Sequence, residues 1–309
     1  MDVNVNKTNK IQNKRILVIG CGGMLGQAVY YTLSTNNNVL ATDIDLNEEW
    51  LQYLDVRDLA AIFAICASFL PEIIINLAAY TDLEYCENNP DASFVTNGLG
   101  QENVCLVAQT FDIPVVYIST AGVFSGTKDF YTDFEIPEPR SIYGKSKFHG
   151  EVHTARSMSK YFIFRAGWMM GGLNKDKKFV KKIFDQIKEG KKEINVVFDK
   201  SGSPTYTWDF ARSMEKIIGT ELYGLYNMVC EGSGTRYEVA TELIKALNLS
   251  DSVKINQVSS DFFGSQYFAP RPASEKLVNL KLKARNILYM RDWRICLKEY
   301  ADNFLTTNK

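Results

Sequence analysis

The chain has 309 residues, 46% of them hydrophobic, enough to bury a large core and to carry a second, smaller lobe. Its 35 Lys and Arg against 36 Asp and Glu leave a formal net charge of -1, so no overall basic field recruits a nucleic acid or a membrane surface, and an anionic ligand has to be met by local cations. The 6 cysteines lack CxxC spacing and read as reduced core thiols, residues 1–14 are rich in Asn and Lys with no apolar stretch of signal-peptide type, and no window nears the length of a bilayer span; a cytoplasmic protein is expected.

The first predicted element is an apolar strand over residues 15–20, which runs into Gly20-Cys21-Gly22-Gly23-Met24-Leu25-Gly26 and then a helical pattern over 24–34. Glycines at this junction let the backbone approach a pyrophosphate held at a helix N-terminus, which makes Gly20, Gly23, Met24, Leu25 and Gly26 candidate cofactor contacts. Taken alone, the pattern is equally a tight strand-to-helix turn. A second strand over 39–43 ends at Asp43, about twenty residues beyond the turn, where a carboxylate accepts hydrogen bonds from adenosine ribose hydroxyls and disfavours a 2′-phosphate. No Arg directly follows, so NAD(H) is expected over NADP(H); Asp45 is the rival for this role, and a turn or helix cap is the plain alternative.

Helical spacing follows over 58–70, 92–110 and 143–157, alternating with short β-branched runs over 73–77, 115–119 and 161–165. Continuous apolar runs of this kind suit strands buried on both faces, and the alternation predicts an α/β fold with a Rossmann-type doubly wound parallel sheet. Ser119 and Thr120 would emerge at the C-terminal end of a strand, where ligands bind in such sheets. Tyr143 and Lys147 stand one helical turn apart, so the ammonium can lower the cost of ionising the phenol. That pair reads as a proton-transfer device, although a random Tyr-x-x-x-Lys is more often a solvated helix face.

After residue 167 the rhythm changes. Gly171-Gly172, a lysine-rich run over 175–182, Gly202-Ser203-Pro204-Thr205 and Pro270-Arg271-Pro272 mark loops between helices expected at 178–190, 208–219, 236–247 and 292–304. The division expected is a dinucleotide domain over 1–167, to which 205–229 returns, and a smaller C-terminal α+β substrate lobe from 168–204 and 230–309. Arg271 can grip a diphosphate bidentately, Trp168 can stack a base or a sugar ring, and Lys178 adds a cation; core packing for Trp168 and a solvated face for the lysines are the bland alternatives. His149 and His153, one turn apart, are too few for a metal, and none is expected.

The ordered motifs resemble the extended short-chain dehydrogenase/reductase superfamily over nearly the whole chain. The likeness sharpens to its dTDP-4-dehydrorhamnose reductase-like branch on Ser119-Thr120-Ala121-Gly122-Val123-Phe124, Tyr143-Gly144-Lys145-Ser146-Lys147, Gly150-Glu151, Arg165-Ala166-Gly167-Trp168, Gly202-Ser203-Pro204-Thr205, Gly224-Leu225-Tyr226-Asn227 and Arg271-Pro272-Ala273-Ser274. The resemblance implies that Asp55-Val56 contacts the adenine, that Ala78-Ala79-Tyr80 passes against the cofactor, and that Asn97 supports the active-site strand. It implies that Thr120 orients a substrate carbonyl, that Tyr143 is the proton donor with its pKa pulled down by Lys147, and that Lys147 also holds the nicotinamide ribose. The implied activity is NAD(P)H-dependent reduction of a nucleotide-linked 4-keto-6-deoxy sugar. Ala121-Gly122 departs from the Asp-Tyr that this branch usually carries. An epimerase or dehydratase acting on nucleotide sugars, and a non-catalytic NAD(P)-binding regulatory subunit, are the alternatives. A homodimer is left open.

Overall fold

The computed structural model describes residues 10–307. Most of the stretch over 1–14 that bears on a leader sequence, residues 1–9, lies outside the described residues. The N-terminal part alternates strands and helices: β1 Arg15–Ile19, α1 Met24–Leu33, β2 Asn38–Asp43, β3 Leu51–Tyr53, α2 Leu59–Phe69, β4 Ile73–Asn76, α3 Leu83–Asn88, α4 Pro90–Phe94, α5 Gly100–Thr110, β5 Val115–Thr120, α6 Ile142–Ser157 and β6 Tyr161–Ala166. Beyond it come β7 Trp168–Met170, α7 Phe179–Lys188, β8 Glu193–Val197, β9 Ser201–Gly202, β10 Pro204–Tyr206, α8 Thr207–Ile218, β11 Gly224–Asn227, β12 Gly234–Thr235, α9 Arg236–Ala246, β13 Lys254–Val258, β14 Ser274–Glu275, α10 Leu280–Ala284 and α11 Trp293–Thr307.

Seven strands form one parallel sheet in the order β11-β6-β5-β4-β1-β2-β3. The pleat explains why the strands are apolar throughout, because successive side chains enter different cores. Ile16 and Val18 of β1 join one core with α1 and α8, whereas Leu17 and Ile19 join the other with α2 and α5. The order reverses at β1, so the crevice beyond the C-terminal ends of β1 and β4 is the switch point at which such sheets bind ligands. Helix α8 packs on α1, and β11 pairs with β6, so residues 207–227 return to the sheet layer.

The rest forms small units beside that crevice: β7 with β10, β8 with β13, and a three-stranded sheet β12-β9-β14. Helix α9 starts with a capping box, in which Thr235 Oγ1 accepts the Glu238 N–H (3.1 Å) and the Glu238 carboxylate accepts the Thr235 N–H (2.6 Å). The single helix expected over 92–110 is broken. A π-helical turn over Val95–Leu99 separates α4 from α5, and it carries Asn97 inward.

At the end of β1 the backbone of Gly20 has φ +79°, and a Cβ there would lie 2.3 Å from the Ala78 nitrogen. Both the dihedral and the contact demand glycine. Gly20→Ala is therefore expected to cost about 2–5 kcal/mol in a denaturant titration, from left-handed strain and overpacking together. An unchanged midpoint would show that this close approach does not exist.

Candidate active site

The glycine turn is built for a phosphate group. Gly23 is the N-cap of α1 and supplies no side-chain cap, and a Cβ at Gly23 would meet nothing nearer than the Gly20 carbonyl oxygen at 4.0 Å. The N-terminus of α1 is thus left without a side-chain cap beside an exposed glycine, at the positive end of a helix, which fits a pyrophosphate. Gly26 lets the helix sit down on the strand end, since a Cβ there would lie 2.0 Å from the Cys21 carbonyl oxygen. Asp43 closes the other side. Its carboxylate accepts the Gly22 N–H (2.8 Å) and the Asp45 N–H (3.0 Å), which fixes it at the mouth of the turn. Asp45 is exposed and accepts from the Asn47 side chain (3.3 Å).

One expected cofactor contact needs correction. The Val56 side chain is buried in the second core, where it fills the space that a Cβ on Gly100 would need, so only its backbone remains for a ligand. The Asn97 side chain is spent within the protein: Oδ1 accepts the Tyr80 N–H (2.8 Å), and Nδ2 donates to the Tyr80 carbonyl (3.0 Å) and to Ser146 Oγ (2.9 Å). Asn97 is a strut that ties the Ala78-Ala79-Tyr80 segment to α6. Asp55 stands at the sheet edge with its carboxylate held by Arg57, whose hydrogen bonds keep the carboxyl below its ordinary range.

Thr120 ends β5, with its Oγ1 accepting the Gly122 N–H (3.1 Å), on the same side of Gly122 as the Tyr143 ring. For the Tyr143 side chain the surrounding protein acts opposite to the pull expected of Lys147: burial pushes its phenol up to about 12, Cys86 and Glu275 push the same way, and the Thr120 hydroxyl opposes them. The Lys147 ammonium lies 4.0 Å over the ring centroid of Tyr117, buried, and that burial takes it down to about 7 against the pull of Glu151. Glu151, one turn further on, is gripped bidentately by Arg165 of β6 (2.8 and 2.7 Å), and this pair is buried as well. One turn of α6 thus carries a phenol pushed toward its protonated form and a lysine that changes charge near neutrality. Ala121 and Gly122 lie against it: a Cβ on Gly122 would touch Thr120 Oγ1 (3.4 Å) and Tyr143 Cδ1 (3.8 Å). The departure from Asp-Tyr therefore bears directly on the catalytic pair.

On the lobe side, Trp168 offers no free ring face. One face rests on Gly202, whose Cβ would lie 2.3 Å from the ring, and the Arg236 guanidinium covers the ring at 3.6 Å from its centroid. Trp168 Nε1 donates to Glu275 (2.7 Å). Stacking of a base on Trp168 is corrected to a packing role. The fork of Arg271 is already occupied, both terminal nitrogens donating to the Glu84 carboxylate (2.7 and 2.9 Å). Lys178 spans the crevice to Thr81, donating to its carbonyl (3.0 Å) and hydroxyl (3.1 Å). His149 and His153 face Glu102 on α5, away from the crevice.

Sequence reasoning missed Arg236. It is the first residue of α9, burial lowers it to about 10, and among the described residues it makes no ion pair. The signal was present in Thr235-x-x-Glu238, the capping box that fixes where the helix starts and thus where Arg236 projects.

This sheet order, with an uncapped helix N-terminus at its switch point and Thr120, Tyr143 and Lys147 on the adjoining β5 and α6, defines an extended short-chain dehydrogenase/reductase. Within that class the chain belongs to the RmlD substrate binding domain family, which matches residues 14–306. It is similar to the dTDP-4-dehydrorhamnose reductase of Bacillus anthracis solved in complex with NADP, at 32% identity and a TM-score of 0.86, over 94% of this chain and 99% of that one. The spore coat polysaccharide biosynthesis protein SpsK of Bacillus subtilis is 31% identical over 93% of this chain and 96% of its own length. The methionine adenosyltransferase 2 subunit beta of Xenopus laevis is 27% identical over 97% and 90%. Among the described residues no helix is long and apolar enough to cross a membrane.

A buried cation that packs on an aromatic ring and lacks a hydrogen-bonded acid is destabilising. Lys147→Met is expected to stabilise the fold by about 1–2 kcal/mol while abolishing turnover, the usual trade at a strained site. Because the folded-state pKa of Lys147 lies below its unfolded value, the difference should be largest below about pH 7 and shrink as pH rises from there toward the unfolded value. Thermal melts of both proteins across that range check this, and a variant less stable than the parent would contradict it.

Proposed function

We propose that the protein is an NAD(P)H-dependent reductase that converts a nucleotide-linked 4-keto-6-deoxy sugar to its alcohol. The observation that carries this reading is Tyr143 of α6 set with the strand-end Thr120 around Gly122, its phenol kept above its ordinary range by burial, in a chain whose family includes dTDP-4-dehydrorhamnose reductases. A phenol that resists ionisation is a ready acid and a reluctant base, which suits carbonyl reduction better than alcohol oxidation.

The open N-terminus of α1, Gly23 and Asp43 would hold the dinucleotide, and the bound nicotinamide supplies the hydride. Thr120 donates a hydrogen bond to the sugar carbonyl oxygen and fixes its position against Tyr143. Tyr143 gives its proton to that oxygen as negative charge develops on it. Lys147, cationic below about pH 7, stabilises the phenolate left behind and can return a proton to it. Arg236 meets the diphosphate of the nucleotide, the role first expected of Arg271. The likeness to SpsK supports a place for the product in polysaccharide assembly. Six free buried thiols support a reducing, cytoplasmic setting.

A regulatory role has its own support, the likeness to the methionine adenosyltransferase subunit over nearly the whole chain. The test follows NADH absorbance with a dTDP-4-keto-6-deoxyhexose. Stoichiometric oxidation is expected, and Tyr143→Phe should lower kcat about 10²–10⁴-fold with NADH affinity retained, the usual contribution of a general acid. Sugar isomerisation without net NADH loss would instead mark an epimerase. No turnover with any nucleotide sugar, and a Tyr143→Phe protein unimpaired in its biological activity, would leave the regulatory reading.

Asp43 should set the coenzyme preference even though the Bacillus anthracis relative was solved with NADP. Asp43→Asn is expected to weaken NADH binding by about 1–3 kcal/mol, the scale of a charged hydrogen bond, and to affect NADPH less. Tighter NADPH than NADH binding in the parent protein would remove Asp43 from this role.

A further inference from the structure

Arg271 is reached from two sides. Its guanidinium fork closes on Glu84, the second residue of α3, in the planar two-point geometry that this side chain also presents to a phosphate. Glu84 Oε1 accepts the Ala269 N–H as well (3.3 Å), and Arg271 Nη1 also donates to the Ala269 carbonyl (3.0 Å). One carboxylate from the dinucleotide half thus pins the segment 267–271 of the other half. Tyr267 lies beneath the Arg271 guanidinium (5.1 Å) and accepts from Lys182 (3.0 Å), while the adjoining Phe268 and the nearby Phe262 are more than half exposed. Across from this clasp, Arg236 feels the like charge of Arg271 and makes no ion pair among the described residues.

The two guanidinium groups therefore differ in one respect: Arg236 has its fork open and Arg271 has an acid in it. A dianionic diphosphate that enters beside Arg236 meets a second cation only by taking Arg271 from Glu84. We propose that Glu84 is an internal stand-in for the substrate diphosphate, holding Arg271 and closing the 267–271 segment on α3 until a nucleotide sugar displaces it. The exchange is competitive, so Glu84 lowers affinity for short anions and keeps the crevice shut to solvent between turnovers. It also discriminates. A monophosphate with less charge competes poorly against a carboxylate already in bidentate contact, whereas a diphosphate carrying a nucleoside to engage the rest of the crevice competes well. The inference rests on the proposed nucleotide-sugar substrate.

The test compares the full-length parent with Glu84→Gln, a partly exposed site where the amide keeps the shape of the acid. Calorimetric titration with dTDP is expected to show about two- to tenfold tighter binding in Glu84→Gln, the range of a part-exposed ion pair, with KM for the nucleotide sugar lowered equally, kcat unchanged and NADH affinity unchanged. Hydrogen exchange at the Ala269 amide should accelerate in the variant, and in the parent on adding dTDP. Weaker or unchanged dTDP binding in Glu84→Gln would overturn the proposal, weaker binding making Glu84 a residue that positions Arg271. If dTDP binds neither protein, the nucleotide-sugar reading fails by itself. Inorganic pyrophosphate then decides the clasp: acceleration of Ala269 exchange in the parent but not further in the variant supports it, and no acceleration rejects it.

Discussion

The active end of the molecule hangs on one buried carboxamide. Asn97 bonds both polar groups of Tyr80 and the hydroxyl of Ser146, while its backbone carbonyl accepts the Tyr117 hydroxyl (3.1 Å), which also donates to the Lys147 carbonyl (3.2 Å). The loop after β4, the strand β5 and the helix α6 are thereby locked to one another by a residue that itself sits on a π-helical turn. That turn is a local departure from helix geometry, and it earns its place by turning a side chain inward that a regular helix would aim elsewhere. Without this cross-link, Thr120 and Tyr143 would belong to separately moving elements, and proton transfer depends on their separation being fixed.

The same region concentrates charge where water is excluded. Lys147, Glu151 and Arg165 are each buried, and only the Glu151–Arg165 pair is closed by hydrogen bonds. Such groups are poor sources of stability, so their presence points to what they do rather than to what they hold up. Glu151 pulls the Lys147 pKa upward against burial, and Arg165 holds that acid in place through two hydrogen bonds. The charge state of the lysine is thus a balance between its burial and the attraction of Glu151, with its ammonium over the Tyr117 ring of β5.

Much of the fold was legible because its signals are local. Apolar runs bounded by turn residues marked β1, β2, β4, β5 and β6, and the glycine turn with Asp43 marked the dinucleotide side. β3 is only three residues long and was seen only as a neighbour of Asp55, since so short a strand carries no pattern of its own. The break in the helix over 92–110 was invisible because a π turn has no composition that distinguishes it. Spacing put Tyr143 and Lys147 one turn apart on α6, but it could not give the direction of the phenol's shift, which depends on how much of it the surrounding chain covers. Arg271 and Trp168 were read by residue type, and type does not show that a fork or a ring face is already taken; Glu84, Gly202 and Arg236, which take them, are 187, 34 and 68 positions away.

The order of the central sheet constrains how the chain can be made. β6 is neighboured by β5 on one side, and its other edge is covered only by β11, which follows more than fifty residues later. During synthesis the strand with Phe162, Ile163 and Phe164 therefore emerges with its outer row of backbone amides and carbonyls unpaired, and it stays so until the intervening lobe has been produced. A nascent chain halted within that lobe exposes an apolar, pairing-competent strand, the kind of edge from which intermolecular sheets grow. Chaperone demand and yield on overexpression should accordingly be governed by the passage from residue 167 to residue 227.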